Sequence, residues 1–148
     1  MGLDKKEPPL VLINHVFTDI NINANLEIPA EELKDENFFD VDCSTEMETY
    51  QNNEDPRLFK VILTITNQYS DKTYAYNFKI TIHGFFRIIE DCPEDKWGPL
   101  IEVLAPSILY TSARDFLYTV SSRGPYPGIY LPTVSFLPNV ETKEGKEN

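Results

Sequence analysis

The sequence predicts an α+β domain, a four-stranded antiparallel sheet backed by one long helix. Three observations carry that expectation. Residues 10–26 alternate with period two. Two runs rich in β-branched and aromatic residues, 57–67 and 72–89, are separated only by Gln68-Tyr69-Ser70-Asp71. Between Leu100 and Gly124 the apolar spacing lengthens to three and four. At 148 residues, with 41% hydrophobic and 12% aromatic side chains, the chain suits one domain with a buried core. Residues 1–138 are assigned to that domain, and the charged stretch 139–148 is expected to be a disordered tail.

The first strand places Leu10, Leu12, Val16, Ile20, Ile22 and Ala24 on its expected buried face, with Asp19, Asn21, Asn23 and Asn25 on the wet one. Residues 27–55 are dominated by acids, with Lys34 the only base, yet Phe38-Phe39 interrupts them. This reads as a long crossing loop holding a short strand at Phe38–Asp42, and loops of such length usually serve function. In the next two runs Phe59, Val61, Leu63 and Ile65 share one face, and Tyr74, Tyr76, Phe78, Ile80 and Ile82 another, which gives an antiparallel hairpin. His83-Gly84 is expected to form a bulge or turn that begins the fourth strand at Phe85–Ile89.

After the turn-rich connector 90–99, Leu109, Ala113, Phe116, Leu117 and Val120 recur at helical spacing. Ser107 is the expected cap, Arg123 complements the carbonyl end, and Gly124 supplies a left-handed stop. Pro106 is expected to bend or break this helix from a shorter piece at Leu100–Ala105. The segment that follows, "GPYPGIYLPTVSF", is stiff and apolar where a domain would ordinarily end.

Several functions are disfavoured. A net charge of −11 opposes binding to phosphate backbones or anionic lipid, which depends on clustered Lys and Arg, so no nucleic-acid partner is expected. No signal-peptide pattern and no run approaching ~18 apolar residues is visible, so we expect a cytoplasmic protein without membrane insertion. Cys43 and Cys92 belong to no C-x-x-C or Cys/His cluster and read as free thiols. His15 and His83 lack metal-ligand spacing. With no nucleophile elbow and no phosphate-binding Gly-rich loop, we expect no enzyme, no catalytic residue and no cofactor. The acid pairs Glu31-Glu32 and Glu54-Asp55 lie in the most polar loop, where nothing desolvates them.

The stretch "APSILYTSARDFLYTVSSRGPYPGIYLPTVSF" resembles the most recognisable segment of SecB-type chaperones. The shared positions include Pro106, Ile108, Leu109, Tyr110, Ala113, Arg114, Ser122, Arg123, Gly124, Tyr126, Pro127, Leu131, Val134 and Phe136, with Asp115 in place of the family's Glu. The resemblance implies a sheet backed by a helix and assembled as a dimer of dimers, a homotetramer with the helices between the pairs. Leu109, Phe116, Leu117 and Val120 are the expected oligomer interface. It also implies ATP-independent binding of unfolded polypeptides in apolar grooves. We expect these to be walled by Phe38 and Phe39 of the crossing loop and by Tyr126, Tyr130, Leu131, Val134 and Phe136 of the stiff segment. The plainer alternative is that these aromatics complete an ordinary core.

The sequence departs from the family at Thr111-Ser112, at Pro132-Thr133, at Pro138, where the family's second, lid-like helix begins, and at the surface that docks the SecA motor. That surface corresponds to Asp19, Asn23 and Lys79 here, and Lys79 reverses a charge. The second helix is therefore expected to be short or absent. Together with Lys79 this favours the branch dedicated to an antitoxin in toxin–antitoxin–chaperone modules over general export to SecA. A non-chaperone protein that uses sheet and helix only to assemble is the third reading.

Overall fold

A computed structural model describes residues 8–69 and 71–137. Four strands, β1 (Leu10–Ala24), β2 (Ser44–Gln51), β3 (Leu58–Thr66) and β4 (Tyr76–Ile88), form one antiparallel sheet in the order β1-β4-β3-β2. The crossing segment between β1 and β2 carries a single helical turn, α1 (Ala30–Leu33), and a 3-10 turn at Glu36–Phe39. After β4, a 3-10 turn at Glu94–Lys96 leads into α2 (Trp97–Pro99), a π-helical stretch at Leu100–Leu104 and the long helix α3 (Ala105–Ser121). The expected class therefore holds. The expected tail and Pro138 lie outside the described residues.

The core forms where alternation in two strands meets helical periodicity. Val61, Leu63 and Ile65 of β3 and Phe78, Ile80, Ile82 and Phe86 of β4 are buried on one sheet face, against Leu109, Ala113 and Leu117 of α3. Each large side chain taken from water there contributes about 1.5–3 kcal/mol. Beyond the end of β3 the Asn67 side chain continues the ladder, donating to the Tyr76 carbonyl at 2.7 Å and accepting from the Phe78 amide at 2.9 Å. The β3–β4 connection is consequently longer than the expected four-residue turn, and β4 begins only at Tyr76.

Several local expectations are corrected. No strand forms at Phe38–Asp42, where the 3-10 turn ends at Phe39 and an irregular stretch follows, and the true second strand is the polar Ser44–Gln51. β2 is an edge strand, mostly solvent-exposed, so it needs no apolar alternation. In β1 the register shifts between Leu12 and Asn14 and again between Phe17 and Asp19. Each shift moves the inward face by one residue, so His15 and Phe17 turn toward α3 while Val16 faces out.

β4 runs unbroken through His83-Gly84. Gly84 is needed for space, because a Cβ there would lie 2.6 Å from Leu109 Cδ2. In the helix, Ser107 caps nothing; its hydroxyl donates back to the Val103 carbonyl at 2.6 Å. Pro106 occupies the first turn of α3, and the helical path continues on its N-terminal side as the π stretch, so the chain stays helical across the proline. Gly124 has no positive φ, so it is no left-handed stop.

Candidate functional site

The stiff segment is fastened to the regular elements by hydroxyl groups. At the end of α3 the Tyr76 hydroxyl donates to the Ser121 carbonyl at 3.0 Å and accepts from the Tyr126 amide at 3.2 Å. Ser121 Oγ accepts from the Ile129 amide at 2.7 Å. The Tyr126 hydroxyl donates to the Asn25 carbonyl at 2.6 Å, and Tyr110 donates to the Pro132 carbonyl at 2.5 Å. These bonds replace the ladder that the extended segment lacks and give it a fixed course along the sheet.

Facing this wall is the crossing segment. Asp35 accepts from the Asn37 amide at 3.0 Å, which starts the 3-10 turn that presents Phe38 and Phe39. Phe38 meets Phe39 edge-on at 5.5 Å, Phe39 lies 6.2 Å from Tyr126, and Tyr126 lies 5.7 Å from Tyr76. Such edge-on and tilted contacts are the favoured geometries for aromatic rings. Between the two segments is a cavity of about 30 Å³, lined by Phe38, Phe39, Val41, Tyr74, Tyr76 and the stretch from Pro127 to Ile129, among others.

The residues expected to bind a client fall in separate places. Phe38, Phe39 and Tyr126 come together, each half-buried. Tyr130 points out, 64% exposed, against Tyr118 at 5.8 Å and beneath the Arg114 guanidinium at 4.6 Å. Phe136 packs on Tyr110 at 6.0 Å, and Val134 is half-buried. Leu131 is fully enclosed in the core and offers no surface, which corrects its place in the expected groove.

The expected interface splits in the same way. Leu109 and Leu117 are fully buried against this chain's own sheet, so they belong to its core and leave the interface. Phe116 is half-buried, stacked on Phe17 at 4.5 Å, and Val120 remains 40% exposed, as does Leu104. Tyr110 is buried as well. Asp19, Asn23 and Lys79 do share one surface, the sheet face turned from α3: Asp19 pairs with Thr81 and Lys79 with Asn21, whose side chain accepts from Asn23.

Two features escaped the sequence. A hollow of about 580 Å³ on the outer side of the sheet is lined by residues including Ile13, Tyr50, Leu58, Lys60 and Phe85, with the Lys60 ammonium 4.9 Å from the Tyr50 ring centre. Its wall needs β2, which the sequence placed elsewhere. The second is the Tyr74 hydroxyl, enclosed and without a hydrogen-bond partner.

Among the described residues no cluster of His, Cys, Asp or Glu could hold a metal ion, and no helix is long and apolar enough to cross a membrane. His15 Nε2 is engaged with Ser112 Oγ at 2.9 Å, tying β1 to α3. Both cysteines are free; burial pushes the Cys43 thiol up, partly offset by its contact with the Tyr110 hydroxyl. Burial likewise raises Tyr110, with the neighbouring thiol adding to the effect.

Fold and site together define a sheet-and-helix protein whose distinctive surface is an aromatic cleft between two irregular segments. The chain belongs to the SecB family: residues 28–139 match the family model described as preprotein translocase subunit SecB. It is 30% identical over 81 residues to the protein-export protein SecB of Nitrobacter hamburgensis, a match spanning 53% of this chain and 50% of that protein. It is 23% identical over 140 residues to SecB of Psychrobacter arcticus, spanning 92% of this chain and 88% of that protein. The first of these matches thus spans about half of the relative's length. Its fold is similar to that of the SecB-like chaperone Rv1957 of Mycobacterium tuberculosis, solved in complex with a ChAD peptide from the HigA1 antitoxin. The TM-score is 0.60 at 12% identity, covering 86% of this chain and 88% of that one.

Proposed function

We propose that this protein is a chaperone of the holdase type, which binds unfolded or aggregation-prone polypeptide in the cleft of Phe38, Phe39 and Tyr126 and needs no nucleotide. The observation that carries the reading is the pairing of half-buried aromatics from two connecting segments, one of them pinned by tyrosine and serine hydroxyls, in a chain of the SecB family. A wall held in place before binding loses little conformational freedom when a client arrives, and apolar contact supplies the attraction. Val134 and Phe136, and Tyr130 on the side of Tyr118, offer further apolar contacts along the same segment, apart from this cleft. The assembly we propose is a homotetramer, or at least a dimer, through Phe116 and Val120, acting in the cytoplasm.

For the client we favour an antitoxin. Two features support this: the fold is similar to that of a chaperone solved with an antitoxin peptide, and Lys79 stands on the face where the resemblance puts acidic residues for SecA. The alternative, delivery of preproteins to SecA, has the names of the curated relatives in its favour.

The test is suppression of aggregation. A chemically denatured model protein diluted into buffer without nucleotide should stay soluble in the presence of stoichiometric chaperone. A strict requirement for ATP, or no protection, would overturn the reading. Titration with purified SecA and with an antitoxin peptide then separates the two client classes.

A further inference from the structure

We propose that the Tyr74 hydroxyl is a polar anchor of the client cleft, donating a hydrogen bond to one backbone carbonyl of the bound chain. The inference deepens the holdase reading and rests on it. Tyr74 is only 4% exposed, lines the cavity between the crossing segment and the stretch from Pro127 to Ile129, and has a hydroxyl enclosed without a hydrogen-bond partner.

Leaving such a group unpaired opposes folding, whereas pairing it on binding recovers that cost. The Asn67 side chain, which lines the same cavity, is engaged with the Tyr76 carbonyl and the Phe78 amide and makes no bond to Tyr74.

The size of the cavity sets what can enter. The hydroxyl is closed off from solvent before binding, so a client carbonyl meets it only once the crossing segment yields, and the cavity beside it, about 30 Å³, leaves room for one small polar group and no larger side chain. An extended client would lay its apolar side chains on Phe38, Phe39 and Tyr126 and turn a single carbonyl inward. The Lys72 ammonium, 5.2 Å from the Tyr74 ring centre, draws density from the phenol and favours donation over acceptance. An acceptor is what every residue of an unfolded chain offers, so the anchor requires no particular sequence. It adds direction to a surface whose other contacts are apolar and undirected.

The test uses Tyr74→Phe in the full-length protein, with fluorescence anisotropy of a fluorescein-labelled peptide rich in Leu and Phe. Binding should weaken about two- to tenfold, the range of one net hydrogen bond. Melting temperature should equal or exceed that of wild type, because an unpaired buried group has been removed. In an amide-to-ester scan of the peptide, one ester should weaken binding to wild type and leave Tyr74→Phe unaffected.

Unchanged affinity would show that the hydroxyl serves only an internal water, and a lowered melting temperature would show a structural bond; either result overturns the proposal. If wild type binds no peptide and protects no denatured protein, the holdase reading falls and this inference with it. If wild type protects and Tyr74→Phe binds equally well, only this inference falls.

Discussion

The Tyr76 hydroxyl occupies the place where a side chain on residue 124 would begin. A Cβ built on Gly124 would stand 2.1 Å from that oxygen, which meanwhile bonds the Ser121 carbonyl and the Tyr126 amide. Gly124→Ala should therefore cost about 1–3 kcal/mol through overpacking, and Tyr76→Phe a similar amount through the lost bonds. The two should not add. With the hydroxyl gone the worst overlap is removed, leaving the ring's Cζ at 3.0 Å, so urea melts of the double variant should show a smaller loss than the sum.

The interface is predicted to depend on Val120 and not on Leu117. Val120→Glu places a charge on an exposed apolar position; light scattering should show a smaller particle with circular dichroism unchanged. Leu117→Ala opens a cavity inside the chain and should cost about 2–5 kcal/mol of stability whatever the assembly state. Unchanged mass in Val120→Glu would remove this face from the interface.

Replacing both Phe38 and Phe39 by Ala should lower client affinity by about 1–3 kcal/mol for each ring that acts as a hot spot, measured with a labelled unfolded protein. Because both rings are half-buried in a connecting segment, far-UV circular dichroism should stay near wild type. Unfolding of the double variant would assign the rings to the core.

Lys79 faces outward beside Asn21 and in line with Asp19. If a basic motor domain docks on this face, Lys79→Glu should tighten SecA binding in calorimetry, with an effect that weakens as salt rises. Tight binding by wild type that ignores the substitution would restore general export as the favoured role.

The pair Cys43 and Tyr110 predicts weaker folding in alkali. Both groups are raised above their ordinary values by burial, so the folded state holds its protons longer than the unfolded chain does. Their contribution is complete below the unfolded thiol value of 9.0 and is lost as pH rises beyond it. Denaturant midpoints should fall as pH rises past 9.0, and less steeply in Cys43→Ala. Native Cys43 should also alkylate more slowly than the unfolded thiol.

β3 and β4 were legible because both carry a buried face under a helix, so burial imposes the period that the eye detects. β2 was not, since an exposed edge strand leaves Ser44–Gln51 without that pressure. β1 is legible as a strand but the facing of its centre is not, because a register shift reverses the faces without changing residue types. At Gly84 and Gly124 the position was right and the reason wrong: what excludes a side chain is Leu109 or Tyr76, brought near from a distant part of the chain.

The same applies to the site. That Phe39 and Tyr126 converge follows from two aromatic segments outside the regular elements, whereas the enclosure of Leu131, Leu109 and Leu117 depends on packing that no local pattern encodes. The unpaired Tyr74 hydroxyl depends on what surrounds it in three dimensions, which spacing along the chain does not reveal.

The π-helical stretch at Leu100–Leu104 holds one residue more than an α-helix of equal length would, and it lies directly before the rigid packing of α3. That extra residue gives the helix a place of tolerance to deletion. Loss of a single residue within 100–104 would convert the wide turn to an ordinary one and leave the face of Leu109, Ala113 and Leu117 in register with Gly84. The same loss a few residues later would rotate that face by about 100° and pull it from the sheet.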